Sequence, residues 1–265
     1  MLDKKFIEKY AKQNNIPLFN TRRLLTEYLQ TEILQILYRS KFGKAVSFLG
    51  GTCLRFAYKI ERFSEDLDFD LISKEKIDFQ ELADLFEKEL SRLGFVVDIK
   101  LKETENIFII FVKFSEVMKQ MGVSDLDDQK LKIKFEVDPS PLKSITYHSE
   151  IISAYGKSFN IIINDLETLF AQKILAIIFR PYQKGRDFYD LVWFLSQRNI
   201  EPNYEIFKEA KIKIRNREEL INFLEEQAKK SDLKQAIRDV ERFLFYPEQA
   251  QWILKLPEYL DNFRK

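Results

Sequence analysis

Apolar residues recur at three-to-four spacing over Lys4–Lys12 and Arg22–Tyr38, which predicts two amphipathic helices, with Thr21 placed to cap the second. Ala45–Leu49 is a short apolar run stopped by Gly50-Gly51, as a buried strand would be, and Leu54 and Tyr58 fit a helix starting near Thr52. Phe63–Ile72 alternates: Leu67, Phe69 and Leu71 fall on one side, Asp66, Asp68 and Asp70 on the other. A helix over Phe79–Leu93 ends at Gly94, and strands are expected at Phe95–Leu101, Ile107–Phe114 and Leu131–Val137. Met118–Gln129 is polar and acidic between two strands, so a loop or hairpin tip is expected there. After Asp165 the period becomes helical: Leu166–Phe179, Arg186–Gln197, Tyr204–Lys211, Arg217–Ser231 and Leu233–Phe245, with a less regular tail over Glu248–Phe263. The change of period near Tyr155–Asn164 divides the chain into residues 1–158, mixed strands and helices, and residues 159–265, all helical. The fold class is α+β. No repeat or low-complexity segment interrupts it.

Composition changes this picture little. A length of 265 residues suits two lobes, and 45% hydrophobic with 32% charged residues suits a soluble globular chain. Lys+Arg and Asp+Glu total 43 and 42, so any basic surface for a nucleic acid must be local. The lone Cys53 excludes an internal disulfide and suits a reducing compartment. The charged N-terminus lacks a signal-peptide core, and no apolar run reaches the ~18 residues of a membrane helix. A cytoplasmic protein without a membrane partner is expected.

The alternating acids are the first candidate chemistry. Asp66, Asp68 and Asp70 project from one face, where like charges repel unless a cation or hydrogen-bond donors compensate. Two carboxylates one strand step apart can share hard metal ions such as Mg²⁺. Glu136 and Asp138 share a face at the end of Leu131–Val137, and either can supply a third carboxylate. The alternative is a solvated edge strand. A calcium loop fits worse, because no Gly follows Asp70 and no Glu closes the loop. Gly50-Gly51-Thr52 sits between a strand and a helix, where glycine lets the backbone approach a phosphate and the first helical N–H groups can hold it. An ordinary tight turn is the alternative.

Taken in order, Leu49-Gly50-Gly51-Thr52-Cys53-Leu54-Arg55 and Arg62-Phe63-Ser64-Glu65-Asp66-Leu67-Asp68-Phe69 resemble the signature of the DNA polymerase β-like nucleotidyltransferases. Within that superfamily they are most similar to the AbiEii/AbiGii-type toxins of bacterial toxin–antitoxin and phage-defence systems. A downstream lysine, Lys173, and the run Arg186-Asp187-Phe188-Tyr189-Asp190-Leu191 extend the similarity, which covers about Ala45–Leu195. Cys53 stands where small residues such as Ala are common in the family.

The resemblance implies a polymerase β-like mixed sheet with flanking helices, followed by a C-terminal helical lobe. It implies a two-metal reaction with Mg²⁺ or Mn²⁺ held by Asp66 and Asp68 and completed by Glu136 or Asp138. Gly50, Gly51, Thr52, Ser64 and Lys173 would contact the nucleotide, with Lys173 and Asp187 also in catalytic roles. Thr52 can equally cap a helix and Ser64 a strand start. Asp190 is the acid better suited to a structural role. Arg180–Arg186, with Lys184, is either a basic patch for RNA phosphates or a solvated turn. His148 lies in a Pro-flanked connection and is read as incidental. The implied activity is transfer of a nucleoside monophosphate from an NTP to RNA, a tRNA 3′ end in particular, restrained by a cognate antitoxin encoded nearby. The competing readings are a protein hydroxyl or small-molecule acceptor, such as an aminoglycoside, and a non-catalytic member that binds nucleotide or a partner. Intact Asp66, Asp68 and Lys173 weigh against the last.

Overall fold

The computed structural model describes residues 3–74, 77–104, 106–124, 126, 129–197 and 200–265. The chain folds as two units, one of Met1–Lys59, Phe63–Pro141 and Ser149–Ile163, the other of Ile60–Arg62, Leu142–His148 and Asn164–Lys265. The division expected after residue 158 falls inside a strand. That strand pairs through Ile163 with Phe48, so its residues belong to the first unit's sheet.

The first unit opens with α1 (Lys4–Gln13) and α2 (Thr21–Arg39). Asn20, not Thr21, caps α2: its side-chain oxygen accepts the Arg23 N–H at 3.2 Å, leaving Thr21 one residue inside the helix. There follow β1 (Val46–Leu49), α3 (Gly50–Ala57) and β2 (Leu67–Leu71). β2 is shorter than the alternation over 63–72 predicts. Ahead of it, side chains rather than a neighbouring strand satisfy backbone groups: Gln30 donates to the Ser64 and Glu65 carbonyls at 3.2 and 3.0 Å, and the Thr52 hydroxyl donates to the Asp66 carbonyl.

Next come α4 (Phe79–Arg92), β3 (Val96–Thr104), β4 (Ile107–Ser115), α5 (Val117–Gln120) and β5 (Leu131–Asp138). The expected 118–129 loop thus begins as a helical turn, which buries Val117, Met118 and Met121. Asp125, Asp127 and Asp128 of that expectation lie outside the described residues. The unit closes with two strands that the sequence reading missed, β6 (Tyr147–Ala154) and β7 (Lys157–Asn164). They form a hairpin turned by Tyr155-Gly156 at φ 49° and 72°, the left-handed pair of a two-residue turn. β6 is an edge strand exposed over its first five residues, so its burial pattern is weak.

The seven strands form one mixed sheet in the order β3-β4-β5-β2-β1-β7-β6. β2 is central, parallel to β5 and antiparallel to β1, which removes the solvated-edge reading of its acids. Its dry face carries Phe69, stacked on Phe48 at 5.1 Å and packed against Phe135 at 4.5 Å, with Phe86 set edge-on to Phe135 at 5.3 Å.

The second unit is helical: α6 (Leu166–Phe179), α7 (Gly185–Ser196), α8 (Tyr204–Glu209), α9 (Arg217–Lys230), α10 (Leu233–Glu241) and, after a 3₁₀ run over Pro247–Lys255, α11 (Leu256–Arg264). α10 stops short of the expected Phe245. Leu244 bridges to Arg62, and the Phe245 N–H donates to the Glu61 carbonyl at 3.0 Å, so residues 60–62 become part of this unit. α7 starts at Gly185, where a Cβ would lie 1.9 Å from the Ala236 carbonyl of α10. Phe170 and Phe194 stack at 4.6 Å between α6 and α7.

Phe69→Ala empties the middle of the aromatic stack and is expected to cost about 3–5 kcal/mol, read as a lowered urea midpoint of the purified chain.

Candidate active site

The Gly-Gly turn and the carboxylate strand meet because β1 and β2 are antiparallel neighbours, with Leu49 opposite Asp68. Gly50 follows at φ +78°, and a Cβ there would stand 2.6 Å from Asp68 Oδ2. Only glycine tolerates both the left-handed backbone and that approach. α3 begins at this turn with Leu49 as N-cap, whose side chain makes no capping hydrogen bond. Gly51 is its second residue. Thr52 is its third, so it is not the cap the sequence suggests. Its hydroxyl is buried and holds the Asp66 carbonyl, fixing the entry to the strand.

Asp68 is level with Glu136 of β5, and Asp70 is level with Asp138. Asp70 is buried, whereas Asp66 and Asp68 are not. The Asp138 carboxylate accepts the Ser140 N–H at 2.8 Å and so caps the turn after β5. Glu136 instead shares a cation with the β2 acids. Lys134, two residues earlier on the same face, contacts Glu136 Oε2 and lies 3.9 Å from Asp66 Oδ2. Burial pushes the Lys134 ammonium toward neutrality. The Glu136 hydrogen bond and the charges of Asp66, Glu136 and Asp68 outweigh burial and hold its pKa above the usual lysine value. Lys134 escaped the sequence reading, although its place in the alternation Lys132-Ile133-Lys134-Phe135-Glu136 is a usable signal.

Among the described residues, no three His, Cys, Asp or Glu side chains converge closely enough to hold a metal ion. The chemistry nevertheless fits a hard cation: the donors are carboxylates on adjacent central strands, and they already gather round one positive charge. Ser64 is half-buried at the approach to β2, its carbonyl held by Gln30.

In the second unit, Lys173 on α6 faces Asp187 and Asp190 on α7. Its ammonium lies 2.9 Å from Asp187 Oδ1 and 2.7 Å from Asp190 Oδ2. Asp190, fully buried, also takes a two-point contact from Arg62, with Nε and a terminal guanidinium nitrogen each 2.6 Å from a carboxylate oxygen. Asp187 takes Arg180, whose side chain is the more exposed partner. Burial raises both carboxyls, and the cations outweigh it: Lys173 and Arg180 depress Asp187, Arg62 and Lys173 depress Asp190. Arg62 stands in the motif without an assigned role, because its partner lies 128 residues away. Two cations of the 180–186 patch are engaged within the unit: Arg180 with Asp187, and Arg186 over the Phe243 ring at 4.1 Å. His148 is exposed on β6 rather than in a connection.

A model of the nucleotidyl transferase AbiEii toxins of type IV toxin–antitoxin systems matches residues 32–256. The chain belongs to this family. It is therefore a nucleotidyltransferase of the toxin–antitoxin kind, with a nucleoside triphosphate as donor and an antitoxin as partner. A comparison with curated proteins gives no match. Among solved structures the chain is similar to JHP933 from Helicobacter pylori, at 20% identity and a TM-score of 0.56 over 91% of each chain. It is also similar to the nucleotidyltransferase toxin MenT4 from Mycobacterium tuberculosis H37Rv, at 20% identity and a TM-score of 0.55 over 74% of this chain and 65% of that one. These likenesses agree with the polymerase β-like mixed sheet. Among the described residues, no helix is long and apolar enough to cross a membrane.

Gly50→Ala is expected to displace the Asp68 carboxylate and lower kcat at least ~10-fold, about 1.4 kcal/mol in the barrier, while circular dichroism stays that of the wild type. Asp190→Asn leaves Arg62 and Lys173 short of a buried charge and is expected to cost about 3–5 kcal/mol at neutral pH. Because the Asp190 pKa is depressed in the fold, its contribution is complete above the ordinary aspartate value of about 4 and is lost as pH falls through the depressed value. Chemical denaturation should therefore show the gap between wild type and variant narrowing below about pH 4.

Proposed function

We propose that this enzyme transfers a nucleoside monophosphate from an NTP to the 3′ end of a tRNA in the bacterial cytoplasm, disabling it, as part of a phage-defence toxin–antitoxin pair. The observation that carries the reading is the Asp66, Asp68 and Glu136 group beside the Gly50 turn and the start of α3. The acceptor's 3′-oxygen forms a bond to the α-phosphorus, and pyrophosphate leaves as the α–β bond breaks. Gly50, Gly51 and the first N–H groups of α3 bind the triphosphate, with Thr52 holding the Asp66 segment in place and Ser64 at its approach. Asp66, Asp68 and Glu136 are the proposed ligands of Mg²⁺ or Mn²⁺, which would supply charge neutralisation and a more acidic acceptor hydroxyl. Register favours Glu136 over Asp138, whose carboxylate caps a turn.

Lys173 and Asp187 are proposed as catalytic residues, with Lys173 also contacting nucleotide, on the strength of the motif. The complete burial of Asp190 and its two-point contact with Arg62 support a structural role for it. Lys173→Ala leaves each acid one arginine, Arg180 for Asp187 and Arg62 for Asp190. The variant should therefore still fold, with NTP affinity reduced roughly tenfold or more.

Incubating the purified chain with each labelled NTP, Mg²⁺ and either total RNA or total protein tests the acceptor class. Label in RNA, lost with EDTA and with Asp66→Ala or Asp68→Ala, is the expected result; label in protein, or only in an added aminoglycoside, would overturn it. Expression of the wild-type chain alone should arrest bacterial growth, whereas the Asp66→Ala chain should not.

A further inference from the structure

The face of the sheet that carries the carboxylates continues outward over β5, β4 and β3. On β4, Phe111 lies level with Lys134 of β5 on one side and Lys100 of β3 on the other. Lys113, two residues along, is level with Lys132 and Asp98. Alternation puts all of these on one face, and the residues between them, Ile110, Val112, Ile133 and Phe135, are fully buried on the other. The outward face is open: Lys100, Lys102 and Lys132 are exposed, and Phe111 and Lys113 are half-buried. The Lys132 ammonium stands over the Phe111 ring, 5.1 Å from its centre.

The Lys132 contact is a favourable cation–π pair that leaves part of the Phe111 ring wet, while the neighbouring ammonium groups repel one another. Asp98 offsets part of the charge, 3.6 Å from Lys113 and 3.5 Å from Lys130, and leaves Lys100, Lys102 and Lys132 in excess. Aromatic rings that stack bases, flanked by cations that take phosphates, are the composition of single-strand nucleic-acid platforms. The platform is also continuous with the chemistry. Lys134 belongs to both, and β2 lies about 10 Å from β4 and about 14 Å from β3, at ~4.8 Å per strand. That distance is about three to four stacked nucleotides at 3.4 Å each.

We propose that the open face of β3, β4 and β5 binds the acceptor as a single-stranded RNA end, with Phe111 stacking a base and Lys100, Lys102 and Lys132 holding phosphates. This rests on the RNA reading above and adds where the RNA lies. The face selects for an unpaired end, because a paired and stacked base offers no free ring face to Phe111.

The test is fluorescence anisotropy of a short labelled single-stranded RNA with the full-length chain over a range of KCl. Three phosphate contacts predict a slope of log affinity against log salt near about −2 for the wild type. Lys100→Glu with Lys132→Glu, both exposed positions, should weaken binding at least ~10-fold and flatten that slope. Phe111→Ala should weaken it about 10-fold, with Phe111→Tyr restoring most of the loss. NTP affinity and Tm should stay at wild-type values in all three variants. The proposal is overturned if the charge-reversed chain, folded by circular dichroism, keeps wild-type RNA affinity and salt slope, including the case where it loses only its antitoxin. Salt-independent RNA binding by the wild type would also overturn it. If wild type and variants label RNA equally well, the surface is wrong and the RNA reading stands. If the wild type neither binds nor labels RNA, both fail.

Discussion

Carboxylates held on adjacent central strands repel one another, and the first unit is arranged around that repulsion. Asp68 comes from β2, Asp66 from the residue just before it and Glu136 from β5, and parallel register puts Asp68 and Glu136 side by side. A nearby positive charge or hydrogen-bond donors offset that repulsion. Lys134 supplies one, and the raised pKa of its ammonium is the other side of the same interaction. On the reverse side, Phe69 is locked between Phe48 and Phe135. The strand is thus anchored by dry packing on one face while it presents repelling charges on the other. Gly50 adds the remaining constraint, since any side chain there would collide with Asp68.

The second unit solves a related problem by burial. Two acids three residues apart on α7 lie on one helical face, and both are buried. Lys173 bridges them, with Arg62 completing the deeper one and Arg180 the outer one. Three cations against two carboxylates leave this cluster with one excess positive charge, and its outer cation, Arg180, is the most exposed. The asymmetry separates the environments of the two acids. Asp190 is saturated by a two-point guanidinium contact at zero exposure, a geometry that favours rigidity. Asp187 is held by more accessible groups.

The same alternation that sets acids against Leu67, Phe69 and Leu71 on β2 sets lysines against buried apolar residues on β3, β4 and β5. One period-two pattern therefore changes sign of charge along a single face, from carboxylates at the centre to lysines toward the edge. A near-neutral total charge conceals this. The local field along this face is set by where the charges stand rather than by their total.

Most elements were legible in the sequence, because they depend on local period. Alternation gave the faces of β2 and β5, the glycine pair gave the turn into α3, and helical spacing gave the helices of the second unit. The order of motifs was enough to indicate the family. What local pattern cannot carry is the partner across space. The hairpin of β6 and β7 escaped because an edge strand needs little hydrophobic alternation, although Tyr155-Gly156 marked its turn. Strand register, a long-range pairing, set Glu136 beside Asp68 and Asp138 beside Asp70, and brought Lys134 into the acidic group. The Arg62 contact with Asp190 closes over 128 residues, so no window of sequence contains both ends. The sequence determined which residues bear charge and on which face of each element they stand. Only the tertiary structure decided which of those charges meet, because Coulomb interactions and hydrogen bonds depend on distance in space rather than along the chain.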